Sequence, residues 1–318
     1  MAPKAGYRTL TDRGFLNQFI FWILFNLFIA VMLALDLGVF HRPTHAIRFR
    51  EANARTGVWI VMAAGFAVLV YLWRGRAASL EFVTGYVIEM SLSVDNLFVF
   101  LVIFRYFKVS STNQHKVLFW GILGALLMRG SFIFLGIGLI RRFGWVVYVF
   151  GAFLIYTGFK FLREEAAEVR PEKNPVLTIF RRWIPITPDY VDGKFFVRNG
   201  GLYATPLFVV LLVIETTDIL FAVDSVPAIL AITLNAFIVY TSNVFAILGL
   251  RSMYFALAGM MEIFHYLHYG LSAVLIFIGA KMLVSHYHTI PTEWALAVVA
   301  GLLGISIIAS LLFPQRNS

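Results

Sequence analysis

Two stretches decide how this chain is read: Val87-Ile88-Glu89-Met90-Ser91-Leu92-Ser93-Val94-Asp95-Asn96, and Val213-Ile214-Glu215-Thr216-Thr217-Asp218-Ile219-Leu220-Phe221-Ala222-Val223-Asp224-Ser225-Val226-Pro227. Each places carboxylates inside an apolar run of the length, about 20 residues, that crosses a bilayer as a helix. A charge at the bilayer centre costs at least ~2.5–3.5 kcal/mol on insertion scales. Five acids so placed need a cation, a proton or a buried partner, and the choice among these is the question of function.

The rest of the chain supports the membrane reading. Of its 318 residues, 60% are hydrophobic and 14% charged, with a mean hydropathy of +0.82; a soluble domain is nearer half apolar and a quarter charged. Nine spans are predicted, at 15–40, 57–73, 80–104, 117–140, 144–162, 202–224, 237–260, 269–285 and 294–313. The first is too long for a signal peptide, and no Ala-x-Ala cleavage pattern stands out, so it is expected to be retained. The absence of cysteine excludes disulfides, thiolate metal sites and cysteine catalysis, and argues against a thiophilic cargo.

The net charge of +9 could suggest a nucleic-acid partner. The distribution of Lys and Arg explains it better. With the N-terminus outside and the C-terminus cytoplasmic, inner loops carry 16 of these residues and outer segments 7, as the positive-inside rule requires. The expected location is the cell inner (plasma) membrane, with the lipid bilayer as partner and no nucleic acid. No phosphate-binding Gly-rich loop and no framed nucleophile is present, so neither ATP drive nor an enzyme is expected.

The two halves repeat. Val94-Asp95-Asn96 matches Val223-Asp224-Ser225, and Ala152-Phe-Leu-Ile-Tyr-Thr-Gly158-Phe-Lys160 matches Ala273-Val-Leu-Ile-Phe-Ile-Gly279-Ala-Lys281. Each unit holds three spans, and an odd number inverts the second unit relative to the first. Inverted repeats characterise secondary transporters, whose site lies at the repeat interface near mid-membrane. The expected organisation is an all-α polytopic protein: a two-helix region at 1–79, a first three-helix repeat at 80–162, a cytoplasmic linker at 163–201, a second repeat at 202–285, and a C-terminal helix and tail at 286–318. Within the linker, Val176, Leu177, Ile179, Phe180, Trp183 and Ile184 beside Arg181 and Arg182 fit either a short interfacial helix or a solvated loop with apolar anchors.

Aligning Asp95 with Asp224 sets Glu89 against Asp218. Six residues correspond to about 120° around a helix, so such a pair cannot face one small site from a straight helix. A break near Thr216-Thr217 or Pro227 would solve this and free backbone carbonyls as ligands. It also leaves open whether 225–235 continues the helix or re-enters. Glu215 and Asp218 share a face. Asn96, Ser225 and Asn243 add neutral oxygens, completing a hard-cation ligand set for Mg²⁺, Ca²⁺ or Mn²⁺. The alternative is a structural network in which the acids pair with Arg129 and Arg251; two basic residues leave three acids over, for metal or for protons. Asp36 reads as an interfacial acid, and Glu262, His265 and His268 as a wet stripe at a span end.

These stretches resemble the signature of the TerC/Alx family of membrane proteins, named for tellurium resistance. Phe195-Phe-Val-Arg198-Asn-Gly, Ala204-Thr-Pro206-Leu and Thr241-Ser-Asn243-Val-Phe-Ala-Ile-Leu-Gly-Leu-Arg251 extend the likeness from about Asp36 to the C-terminus. The resemblance implies nine or so spans and, through its Alx-like members, manganese export. It carries the family's acidic positions onto Glu89, Asp95, Asp218 and Asp224, and extends to Arg129 and Asn243.

The expected activity is therefore secondary export of a divalent cation, Mn²⁺ by resemblance, through a metal site of Glu89, Asp95, Asp218, Asp224, Asn96, Asn243 and Glu215. Protons are the candidate coupling ion, and no permanently bound cofactor is expected. The rival reading is a membrane scaffold that delivers cations to exported metalloproteins. An intramembrane hydrolase using a carboxylate pair is a weaker third.

Overall fold

The computed structural model describes residues 20–34, 49–163, 175–198, 201–257, 266–285, 287 and 290–312. The chain divides into two units, Met1–Ala46 and Ile47–Ser318. In the first, helix α1 (Ile20–Ala34) lies within the first expected span; the flanks of that span, and Asp36, lie outside the described residues.

The second unit runs α2 (Phe49–Arg74), α3 (Arg76–Tyr106), α4 (Ser111–Arg142), α5 (Val146–Arg163), α6 (Pro175–Trp183), β1 (Phe196–Arg198), β2 (Leu202–Ala204), α7 (Pro206–Leu230), α8 (Ala236–Leu257), α9 (Leu267–Val284) and α10 (Thr292–Leu312). Among the described residues, eight helices are long and apolar enough to cross a membrane: α2 to α5 and α7 to α10. The all-α polytopic architecture is as expected. Glu262 and His265 lie outside the described residues.

Local chemistry sets the helix ends. Gly75 alone separates α2 from α3, at a φ of 86° that favours glycine, and its N–H closes α2 on the Tyr71 carbonyl at 2.9 Å. α7 begins with Pro206, whose missing N–H is no loss at a first turn. The expected span from 202 is corrected here, because Leu202–Ala204 pairs antiparallel with Phe196–Arg198 as a short hairpin. The expected break in α7 is also absent. The Thr216 and Thr217 hydroxyls donate to the Leu212 and Val213 carbonyls, each at 2.7 Å, and so rest on the helix rather than interrupt it. Pro227 falls in the last turns, where little helix remains to disrupt. Residues 225–230 therefore continue α7, a turn follows, and α8 starts at Ala236; the segment does not re-enter.

In lipid, apolar side chains gain little by touching each other rather than acyl chains, so close backbone approach and polar contacts hold helices together. The most extensive pairing is α5 with α9, followed by α3 with α8 and α4 with α7. On the α5–α9 seam a methyl group on Gly151 would fall 2.9 Å from the Gly279 carbonyl oxygen, and one on Gly279 2.6 Å from that of Gly151. A methyl on Gly158 would fall 2.9 Å from the Ser272 carbonyl oxygen. These contacts make α5 and α9 antiparallel. α3 runs with α8, since Glu89 meets Asn243 and Met90 meets Gly249; α4 runs with α7, since Gly121 meets Ile214 and Gly136 meets Leu230.

The linker contains α6 and the hairpin. Leu177 of α6 is buried with Phe104, Val109 and Leu207 at one end of α3 and α7. The segment between α6 and the hairpin is tied down by Lys116, which donates to the Gly193 carbonyl at 2.7 Å, and by Tyr190, which donates to the Phe107 carbonyl at 2.7 Å.

Candidate ion site

Four helices, two from each half, meet around Arg129. Its side chain on α4 is 1% exposed, Glu89 on α3 is wholly buried, and Asp218 on α7 and Asn243 on α8 are buried beside it. Arg129 forms an ion pair with Glu89 through Nη1. It donates to Asp218 through Nη2 at 3.2 Å and Nε at 3.5 Å, and through Nη1 to Ser225 Oγ at 3.3 Å. The planar guanidinium fork suits this two-sided demand, which a lysine could not meet. Asn243 Nδ2 donates to the other Glu89 oxygen at 2.9 Å, and Ser93 Oγ to the first at 3.5 Å.

The charge at this junction does not balance. Two carboxylates face one guanidinium, leaving a formal surplus of one negative charge at a buried site. A cavity of about 20 Å³, room for about one water, adjoins Arg129 and Asp218 and is otherwise walled by apolar residues, including Leu97, Phe100 and Ile122.

The other predicted ligands stand apart from this cluster. Asp224 lies six residues beyond Asp218 on an unbroken helix, and so turns about 120° away toward α5. There Thr157 donates to its Oδ1 at 3.0 Å. Glu215, one turn before Asp218, is pressed against Gly124 of α4, and its Oε2 is buried without a hydrogen-bond partner. Asn96 Nδ2 and Asn243 Oδ1 are also buried and unpaired. The side chains of Asp95 and Arg251 lie outside what is described.

The expected single cage is therefore not assembled among the described residues: no three Asp, Glu or His side chains converge on one point. Arg129 of α4 sits between Glu89 of α3 and Asp218 of α7 and pairs with both. Asp224 and Glu215 face different neighbours because α7 is not broken between them. The pairing of acids with Arg129, weighed above as the alternative, is the arrangement seen. Thr157 and Ser93 were missed as carboxylate partners. Thr157 faces its acid across a helix seam, which leaves no mark in local sequence, whereas Ser93 lies one turn from Glu89 on α3, an i, i+4 spacing that the sequence does carry.

Comparison with known proteins agrees with the motif reading. The model of the integral membrane protein TerC family matches residues 74–318. An uncharacterised membrane protein of Myxococcus xanthus is 51% identical over 292 residues, covering 92% of each chain. A protein of Escherichia coli K12, provisionally named a membrane-bound redox modulator, Alx, is 44% identical over 306 residues, covering 93% of this chain and 95% of its own. An uncharacterised membrane protein of Rickettsia bellii is 40% identical over 92% of this chain and 97% of its own. No solved structure matches. A family model covering three-quarters of the chain and relatives matched almost end to end lead to one assignment: the chain belongs to the TerC family of integral membrane proteins.

Proposed function

We propose that this protein is a secondary transporter that exports a divalent cation, with Mn²⁺ the favoured cargo, by alternating access. The observation that carries the reading is the Arg129 junction. Two buried carboxylates from opposite halves share one cation that belongs to the protein, and they keep a surplus negative charge. A guanidinium is a reversible substitute for a metal ion: it neutralises carboxylates in the absence of cargo and withdraws when a divalent ion outbids it. Glu89 and Asp218, with the spare oxygen of Asn243, then offer hard oxygen ligands. Asp224 with Thr157, about 9 Å further along α7, is a second carboxylate on the cargo's route, and Glu215 and Asn96 hold further unpaired polar atoms.

The helix pairing supports the inverted-repeat part of the proposal. A two-fold relation between α3-α4-α5 and α7-α8-α9 exchanges the α3–α8 contact with α4–α7 and maps α5–α9 onto itself. It also exchanges the close approach of Gly151 to Gly279 with that of Gly158 to Ser272, in keeping with the offset that aligns Gly158 with Gly279. Rocking of one triplet against the other about this axis would open the junction to alternate faces. Protons are the proposed counter-ion, and the inner (plasma) membrane with the N-terminus outside the proposed setting.

The E. coli relative's name refers to redox modulation. This chain has no cysteine, so any redox effect it has would run through what it moves or binds rather than through its own thiols. The second reading, delivery of cations to exported metalloproteins, draws on the same site. It differs in needing another protein.

Purified protein in sealed vesicles tests the proposal. Vesicles enclosing an Mn²⁺-quenched dye should lose signal when external Mn²⁺ is added. Asp224→Asn, which leaves the Arg129 junction intact, should reduce flux to the protein-free rate while the protein stays folded in the membrane. Absence of flux from wild-type vesicles under an Mn²⁺ gradient, with or without a pH gradient, would reject the carrier and leave the delivery reading.

A further inference from the structure

An aromatic cluster joins α6, the hairpin and the start of two spans. Phe208, in the first turn of α7, has the Phe180 ring at 5.1 Å and the Phe196 ring at 4.4 Å. Phe195 lies 6.4 Å from Phe208, and Trp120 of α4 lies 6.5 Å from Phe195. Outside this cluster the apolar surface continues uncovered. Ile179 and Trp183 are 58% and 82% exposed on α6, and Phe196 and Leu202 are 39% and 54% exposed on the hairpin.

The register of α6 explains the pattern. Leu177 and Phe180 face the protein, and Ile179 and Trp183 continue the same apolar arc beyond the protein's edge. Thr178 and Arg182 occupy the opposite side. On β1, Phe196 and Arg198 share the exposed face, and Leu202 is the cross-strand partner of Arg198. Leucine, isoleucine and aromatic rings flanked by arginines, at the level where α7 begins, match the composition of a membrane–water interface. The covered half of the arc is packed on span ends, so the uncovered half lies beside helices long and apolar enough to cross a membrane.

We propose that the exposed face of α6 and the β1–β2 hairpin lie in the headgroup layer of the bilayer and bind anionic phospholipid there, with Ile179, Trp183, Phe196 and Leu202 among the upper acyl chains and Arg182 and Arg198 against lipid phosphates. The linker between the two halves is then held down on the membrane instead of hanging in solution. This holds whatever the cargo is.

The absence of cysteine makes the test direct. Ile179→Cys, Trp183→Cys and Thr178→Cys each give the full chain one thiol for an environment-sensitive fluorophore, read in vesicles of phosphatidylcholine with and without phosphatidylglycerol. Labels at 179 and 183 should emit at shorter wavelength, resist iodide, and be quenched by lipids spin-labelled just below the headgroup; the label at 178 should remain open to iodide. Phosphatidylglycerol should increase lipid quenching at 183, and Arg182→Gln with Arg198→Gln should remove that increase. Labels at 179 and 183 as open to iodide as the label at 178 would overturn the proposal. Protection from iodide without lipid quenching would assign the face to a protein partner instead, and quenching indifferent to phosphatidylglycerol would remove the anionic preference.

Discussion

Among the described residues, Arg129 is the side chain that pairs with both Glu89 and Asp218. Removing one member of a buried ion pair costs roughly 3–5 kcal/mol, because the partner is left charged and unpaired. Arg129→Gln should therefore lower the melting temperature markedly, since it leaves Glu89 and Asp218 facing each other with no cation. Glu89→Gln should cost less, because it leaves one carboxylate for one guanidinium. Thermal unfolding in detergent separates the two. Added Mn²⁺ should restore stability to Arg129→Gln more than to the wild type, since ligand that binds the folded state adds stability by mass action; a variant indifferent to Mn²⁺ would count against a metal role for this pair. The acids themselves were legible, because a carboxylate in an apolar run stands out. Their partners were less so. The choice between Arg129 and a metal ion depends on which helices touch, and Thr157 became visible as a ligand of Asp224 only once α5 was seen beside α7.

At the scale of elements, α7 shows how a correct geometric premise can lead to a wrong local expectation. The 120° between Asp218 and Asp224 does forbid a common target from a straight helix. The chain resolves this by keeping the helix continuous and giving the two acids separate neighbours, not by breaking it. Helices and spans were legible because hydropathy and periodicity are local properties. The hairpin was not, because three-residue strands at Phe196–Arg198 and Leu202–Ala204 take their identity from each other. The α5–α9 seam yields its own prediction. Gly279→Leu must push a side chain into the Gly151 backbone, and overpacking of this kind typically costs about 1–3 kcal/mol. The variant should melt lower than wild type, whereas the same change at Gly301 of α10, where a methyl group would meet nothing within 4 Å, should leave the melting point near that of wild type.

For the whole molecule, the arrangement of Lys and Arg predicts an orientation that single thiols can check. Asp189→Cys in the linker should react with a membrane-impermeant maleimide only in inside-out vesicles, and Trp145→Cys, in the turn between α4 and α5, only in right-side-out ones. The opposite pattern would invert the topology and with it the proposed direction of transport. The junction described above has an electrical consequence. With its guanidinium in place and no cargo, the trio of Glu89, Arg129 and Asp218 sums to −1; a divalent ion arriving beside the guanidinium makes it +1, and one that drives the guanidinium out of the trio makes it zero. Since an elementary charge crossing 100 mV exchanges about 2.3 kcal/mol with the field, filled and vacant forms of the protein would feel the resting voltage differently, and under the proposed export turnover should register as a current wherever fewer than two protons return per divalent ion.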